Sequence, residues 1–271
     1  FVSLQDPHRT GVPNSSGLAA GPDPHAALLR GVQELIERDA LMTTWLHGLT
    51  GRAVTPPSPL VSEVARLSGE FTVLDLTPAY SPFPVAAVMG GIPKRGVWRY
   101  SLGVACKHDW DSAVDKAYLE WNQGVLFAGV YGELADVSRI QKDTELHSFD
   151  EHAMYYTLYP ELWPKLPILR EKSAPYAPSR RTAPEDPRRA LDVTRKALLD
   201  AGIRVSYREV STIDAIQAGL RVIKALSPDM ALIHSHDAWP FLHKVDGMVE
   251  SRYPGRGAES QFPNLKPHPL G

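Results

Sequence analysis

The chain has 271 residues, of which 43% are hydrophobic, and its 31 acidic and 29 basic side chains give a net charge of −2. This composition argues against nucleic-acid binding, which requires a basic surface, and against a membrane-spanning helix, which requires a run of about 18 apolar residues. The single cysteine, Cys106, cannot form an internal disulfide and fits a reducing cytoplasm. Its apolar neighbours predict a buried side chain rather than a nucleophile.

The first element is predicted to be a helix over residues 24–45. Asp23 is a good N-cap, a proline follows it at the first helical position, and aliphatic residues then recur on one face. The opposite arc carries Glu34, Glu37 and Arg38. This arc therefore faces something other than the aliphatic core.

A run of small residues, Ser15–Gly21, precedes this helix. We expect its backbone N–H groups to be open to an anion next to the helix N-terminus. Two carboxylates at i, i+3 with a guanidinium beside them could then hold a divalent metal together with the phosphates of a nucleotide. The alternative is that Glu34 and Arg38 form an ordinary surface ion pair.

Proline and glycine turns divide the next part of the chain into one short helix and three strands. The helix is predicted over residues 61–67. The strands are predicted over 71–77, 85–89 and 98–106.

A second long helix is predicted to start at Asp109 or Asp111 and to end near Phe127. It places Glu120 and Gln123 at i, i+3, and Glu120 shares its arc with a stripe of small residues. Such a stripe lets a ligand approach closely. The alternative is a close contact between two helices with Glu120 at its edge.

A mobile loop rich in proline, serine and charge is predicted over residues 171–187. Regular elements on either side of it follow from periodicity and from the capping residues Thr212 and Gly202. They are helices at 152–156 and 188–201 and strands at 204–210 and 220–226, with a short helix capped by Thr212 between the two strands. We therefore expect one α/β (α+β) domain over residues 1–271, with helices packed on a mixed sheet and a proline-rich tail at 262–271.

Two clusters of polar residues in the second half of the chain suggest further chemistry. Residues 234–237, His-Ser-His-Asp, could supply zinc or iron ligands, but no third ligand is evident nearby. A polar loop after the preceding strand is favoured there, and a role in binding substrate or accepting a proton stays open. A hydrolase triad of His147, Asp150 and His152 lacks a nucleophile elbow, so Asp150 is expected to cap a helix.

The motifs described above together resemble those of the YcaO-domain family. The closest likeness is to the azoline-forming cyclodehydratases, which modify ribosomally made peptides. The resemblance rests on the order and spacing of Ser15-x-Gly-x-x-x-Gly21, Glu34-x-x-Glu37-Arg38, Glu120-x-x-Gln123 and Pro267-His-Pro269.

This resemblance implies ATP and Mg²⁺ as cofactors and assigns site residues. The implied magnesium ligands are Glu34, Glu37 and Glu120. The implied nucleotide-binding residues are Ser15, Glu34, Glu37, Arg38, Glu120, Gln123 and Lys224. The residues implied to order the reaction centre are Pro267, His268, Pro269 and Gly271 in the tail.

The implied reaction is phosphorylation of a backbone amide oxygen by ATP after a Cys, Ser or Thr side chain attacks the carbonyl carbon, giving a thiazoline or oxazoline. The implied partners are a precursor peptide with leader and core, a leader-binding E1-like or ThiF-like protein and a flavin dehydrogenase, in a homodimer or hetero-complex. Two alternatives stay open. One is a relative that makes a thioamide or an amidine, and the other is a nonenzymatic subunit that binds peptide or a partner through a degenerate ATP site.

Three departures from the family pattern limit what can be transferred. The chain begins at Phe1 and contains no earlier Glu-x-x-Glu-Arg copy, so we expect its N-terminal part, with half of the nucleotide site, to be missing. Gly271 stands where the subgroup ends in proline. Lys224 and Gly124 stand where relatives often carry arginine, and lysine keeps the charge without the bidentate geometry.

Overall fold

Two antiparallel sheets organise the computed structural model, which describes residues 14–170 and 175–270. The smaller sheet has the order β1-β7-β6 and the larger the order β2-β3-β4-β5. The strands are β1 (Leu18–Gly21), β2 (Arg52–Val54), β3 (Glu70–Asp75), β4 (Val85–Lys94), β5 (Val97–Cys106), β6 (Ser206–Glu209) and β7 (Arg221–Leu226). The α/β (α+β) class is confirmed, whereas the expectation of a mixed sheet is wrong because every ladder between these strands is antiparallel.

The antiparallel order of the larger sheet follows from its short connections. Lys94 pairs with Val97, so only two residues join β4 to β5. Those residues, Arg95 and Gly96, have φ values of 53° and 80°. Positive φ at both positions gives the turn that matches the twist of a tight hairpin. A parallel pair would require a long crossover instead.

The helices cover both faces of the larger sheet. They are α1 (Pro24–Leu46), α2 (Ser58–Arg66), α3 (Trp110–Leu134), α4 (Phe149–Leu158), α5 (Pro187–Asp200), α6 (Ile213–Gln217) and α7 (Val249–Arg252), with short 3₁₀ turns at Pro160–Lys165, Pro167–Leu169, Leu242–Lys244 and Gly257–Glu259. Alternate residues of β4 point to opposite faces: Val85 and Ala87 belong to the core shared with α1, and Ala86 and Val88 to the core shared with α3.

Helix α1 is buried along most of its length between the two sheets. Its start is fixed as predicted: Asp23 Oδ1 accepts hydrogen bonds from the N–H groups of His25 and Ala26, at 2.8 and 3.0 Å. Because these first donors are already satisfied by Asp23, the helix terminus does not present them to an external anion.

Helix α3 is capped by Asp109, which accepts from Ser112 N at 2.7 Å, and it runs two turns beyond the predicted end. Gly129 lies inside the helix rather than at its end, and its lack of a side chain gives room to the Arg99 side chain. The small-residue stripe packs on β5, where a Cβ added to Gly103 would lie 2.0 Å from Ala117 O. The close approach is therefore to a strand rather than to a second helix.

Several predictions need correction or lie beyond the described residues. The small-residue run at 18–21 is strand β1, paired with β7, and β2 was not predicted. Of the predicted loop at 171–187, residues 171–174 lie outside the described residues, as does Gly271. Within the described part, no helix has the length and apolarity needed to cross a membrane.

Candidate nucleotide site

The acidic arc of α1 holds the guanidinium of Arg38, which lies beside two carboxylates without a hydrogen bond to either. Arg38 Nη2 lies 3.8 Å from Glu34 Oε1, and Nη1 lies 3.6 Å from Glu37 Oε1. Both separations exceed the usual length of a hydrogen bond. The Nε and Nη1 atoms of Arg38 are buried and have no hydrogen-bond partner among the described residues. Buried donors of this kind are normally satisfied, so an anionic ligand would supply the partner that these two donors lack among the described residues.

The ionised forms of the carboxyl groups beside Arg38 are disfavoured. Burial raises the pKa of Glu37 to about 8, with Arg38 opposing the rise and Glu120 and Glu34 adding to it. Burial also raises the pKa of Glu34, again opposed first by Arg38 and then by the N–H of Gly17. A bound divalent cation would favour the ionised form of each carboxyl group.

Helix α3 brings the second acidic motif to the same place. Glu120 and Gln123 line a cavity of about 350 Å³ together with Arg38. Glu120 Oε1 also accepts an ion-paired contact from Lys116 at 3.0 Å, one turn earlier. The other residues around this cavity are Ser101, Leu102, Gly124, Phe127, Asp150, Ala153 and Leu270.

The turn at residues 14–17, before β1, is hydrogen-bonded to side chains of α1 and β7. It does not lie at the start of a helix. Gly17 N donates to Glu34 Oε2 at 3.2 Å. Lys224 Nζ donates to the carbonyl oxygens of Asn14 and Ser16, at 2.8 and 2.6 Å. The Ser15 side chain is exposed at this turn. Lys224 therefore fastens the turn next to Glu34, and burial lowers the pKa of its amine while Glu34 opposes the change.

The C-terminal tail lies against α1 and α4. Trp45 Nε1 donates to Lys266 O at 2.8 Å, and Tyr156 Oη donates to Pro267 O at 2.6 Å. Beyond these contacts, Pro269 and Leu270 are buried, and Leu270 reaches the cavity that Arg38 lines. The tail therefore ends at the predicted site, up to the last described residue.

Three buried histidines hold the tail in place. His268 has no exposed surface and stacks on His152, with ring centroids 4.2 Å apart. His268 Nε2 donates to His234 O at 2.7 Å, and His152 Nδ1 donates to His268 O at 3.0 Å. His152 Nε2 lies 3.3 Å from Asp237 Oδ1. The 234–237 segment thus contributes to the packing of the tail.

The sequence did not identify two neighbours in this region. Glu145 lies beside His147 and His236, with ligand atoms of all three within 4.8 Å, so a potential metal site includes His236 but not His234 or Asp237. Asp150 was expected to cap α4, but Ser148 Oγ accepts from Glu151 N at 3.3 Å instead. Asp150 is left to line the cavity. The available signal was a first-turn carboxylate with a serine already in the capping position.

Comparison with known proteins places this geometry in context. The model of the family described as YcaO cyclodehydratase, ATP- and Mg²⁺-binding, matches residues 1–231. No curated protein matches significantly. Solved structures with the same fold include a heterocyclase in complex with substrate and cofactor, at a TM-score of 0.66 and 22% identity, covering 85% of this chain and 30% of that one.

Two further structures share the fold. The heterocyclase TruD matches with a TM-score of 0.65 and 20% identity, covering 100% of this chain and 36% of that one. The Escherichia coli microcin synthetase McbBCD complex matches with a TM-score of 0.62 and 15% identity, covering 94% and 63%. The chain thus spans about a third of the length of the two heterocyclases.

Proposed function

The chain belongs to the YcaO family, and we propose that it is the ATP-binding part of an enzyme that modifies the backbone of a peptide. The observation that carries the proposal is Arg38. Its buried Nε and Nη1 donors have no partner among the described residues, and its guanidinium lies beside Glu34 and Glu37. Glu120 and Gln123 line the same cavity as Arg38. This arrangement combines an anion partner with oxygen ligands for a hard cation.

The residues fit the cofactors of the family, ATP and Mg²⁺. Glu34, Glu37 and Glu120 would hold Mg²⁺, and Arg38 would contact phosphate, with the Gln123 amide at the rim. ATP, when bound with Mg²⁺, supplies the phosphoryl group that makes an amide oxygen a leaving group. The raised pKa values of Glu34 and Glu37 support this assignment. Arg38 alone does not offset the effect of burial on these carboxyl groups, and a bound Mg²⁺ would add positive charge that favours their ionised form.

Two other predicted residues have contributions of their own. We propose that Lys224 acts by holding the turn that includes Ser15, since its amine is bound to carbonyl oxygens of that turn. We also propose that the tail excludes water from the cavity, since Leu270 is buried and lines it. His268 anchors the tail from beneath.

We propose thiazoline or oxazoline formation from Cys, Ser or Thr as the reaction, supported by the fold shared with two heterocyclases. Thioamide or amidine formation uses the same activated amide and is the second candidate. The McbBCD complex supports a hetero-complex as the working form. The expected partners are the precursor peptide, a leader-binding E1-like or ThiF-like protein and a flavin dehydrogenase.

The nucleotide part of the proposal is tested by calorimetric titration with Mg·ATP. Glu34→Gln keeps the size of the side chain and an acceptor for Gly17 N, so the fold should persist while ATP affinity falls about tenfold. Glu133→Gln is the matched control, because Glu133 is 64% exposed on the same helix as Glu120 and is outside the cavity lining. Unchanged affinity in a Glu34→Gln, Glu120→Gln double variant would remove these residues from the site.

The reaction is tested separately by the intact mass of the precursor peptide after incubation with ATP and the partner protein. Loss of one water per modified residue indicates an azoline. Conversion without that loss indicates a different product. Peptide binding with neither ATP binding nor conversion would favour the nonenzymatic subunit.

A further inference from the structure

Four arginines line a second cavity, on a side of α1 away from its acidic arc. This cavity has a volume of about 340 Å³ and lies at the ends of β2 and β3. Its charged lining residues are Arg52, Arg181, Arg252, Arg256 and one carboxylate, Asp75. Positive charge therefore outweighs negative charge at its wall.

Two of these arginines donate hydrogen bonds to carboxylates. Arg252 Nε donates to the buried Asp39 Oδ2 at 2.8 Å, and its Nη2 donates to Asp229 O at 2.8 Å. Arg256 Nη2 donates to Glu259 Oε2 at 2.8 Å. The formal charges of this pair of arginines are thereby compensated inside the fold.

Arg181 carries the uncompensated charge. Its guanidinium donates to three carbonyl oxygens of the 78–81 turn, including Ala79 O at 3.1 Å, and forms no ion pair with a carboxylate among the described residues. Burial lowers the pKa of Arg181, opposed by Asp75 and reinforced by Arg52. A partly desolvated cation held by neutral acceptors gains from a bound anion.

Arg52 adds a second donor at the cavity wall. Its Nη2 donates to Thr77 O at 3.1 Å and lies 3.6 Å from Asp75 Oδ1. Within the described ranges, Arg52 Nη1, Arg181 Nε and Arg256 Nη1 take part in no hydrogen bond. Three donors from three separate segments suit a tetrahedral anion with several oxygens. A planar carboxylate would pair with a single guanidinium.

We propose that this arginine pocket binds a phosphate group or another tetrahedral oxyanion, separately from the nucleotide site. Consecutive helical residues project about 100° apart. Arg38 lines the first cavity, while the next residue, Asp39, pairs with Arg252 at the second. The two cavities therefore lie on different faces of α1.

The test is calorimetric titration of the protein with inorganic phosphate, at constant ionic strength and without Mg²⁺. Sulfate, acetate and O-phosphoserine serve as comparison ligands. Phosphate and sulfate should bind about tenfold more tightly than acetate. O-phosphoserine distinguishes a site for a phosphate ester, which binds it as well as phosphate, from a site for the free ion alone.

Variants locate the binding site. Arg52→Gln should weaken phosphate binding about fivefold, and Arg180→Gln, an exposed neighbour of Arg181, should leave it unchanged. Asp75→Asn keeps an acceptor for Thr77 N and removes the opposing charge, so it should strengthen binding about twofold. This last variant decides the question if Arg52→Gln does not fold.

Three outcomes would overturn the proposal. The first is absence of phosphate binding by the unmodified protein at millimolar concentrations. The second is acetate binding as tight as phosphate binding. The third is loss of phosphate binding in Arg38→Gln together with unchanged affinity in Asp75→Asn, which would place the anion in the first cavity.

Discussion

The histidines beneath the tail should make the protein lose stability as the solution becomes acidic. Burial lowers the pKa of His152 and of His234 from 6.5 to about 4, and it lowers that of His268 well below the usual value. The folded state therefore keeps these rings neutral. The unfolded chain binds protons once the pH falls below 6.5, so stability is complete above that pH and decreases towards pH 4.

The magnitude follows from the two pKa values. A histidine whose pKa is 6.5 unfolded and about 4 folded loses about 2 kcal/mol of stability between about pH 7 and pH 5. His152 and His234 together lose on the order of 4 kcal/mol, which is a large part of the stability of many domains, and His268 adds a loss in the same direction. We therefore expect marked destabilisation below about pH 6.

Urea unfolding across this pH range measures the effect. His268→Phe keeps a ring against His152 and cannot be protonated, so its stability should depend on pH less steeply, by about 1 kcal/mol per pH unit near pH 5. His243→Gln is the control, because His243 is exposed. Equal slopes for the unmodified protein and His268→Phe would show that His268 does not remain neutral in the fold.

Two further predictions concern the tail and the centre of α1. Deleting residues 266–271 exposes the surface beneath the buried Leu270, so the free energy of unfolding should fall by about 2 kcal/mol in urea titration. Peptide-dependent ATP turnover should fall about tenfold while ATP affinity stays unchanged. Peptide conversion at the normal rate would show that the tail has no catalytic effect. Asp39→Asn leaves the buried Arg252 guanidinium without its carboxylate and should lower the free energy of unfolding by about 3 kcal/mol. The control Asp192→Asn changes an exposed residue and should alter that free energy by less than about 0.5 kcal/mol. Similar losses in the two variants would contradict a buried ion pair.

Local signals predicted the long elements of the fold well. Asp23 and Asp109 cap α1 and α3 as expected, because a side-chain oxygen at the N-cap satisfies donors within its own turn. Strands β1 and β2 escaped prediction. They have four and three residues, too few for an alternating pattern to show. Leu18 pairs with Lys224, and no local pattern specifies a pairing over that separation.

The candidate site was predictable in composition and less so in environment. Helical periodicity places Glu34, Glu37 and Arg38 on one arc, and it places Glu120 on another, but it does not state what covers each arc. Glu37 is only 8% exposed because other elements cover the C-terminal half of α1. The position of Asp150 in the cavity lining could not be predicted either, because the cavity is formed by elements that are distant in sequence.

The contrast between two neighbouring residues of α1 separates structural from functional charge. Asp39 accepts hydrogen bonds from Tyr80, Ala231 and Arg252, so its burial is fully compensated within the chain. Arg38, one position earlier, has two buried donors without partners among the described residues. A buried charge without such compensation costs stability, and a fold retains it when a ligand supplies the missing partner. Arg181 differs, because it is only partly buried and donates to three carbonyl oxygens, but it too has no hydrogen bond to a carboxylate among the described residues. A guanidinium without a hydrogen-bonded carboxylate is the property that the two proposed sites share.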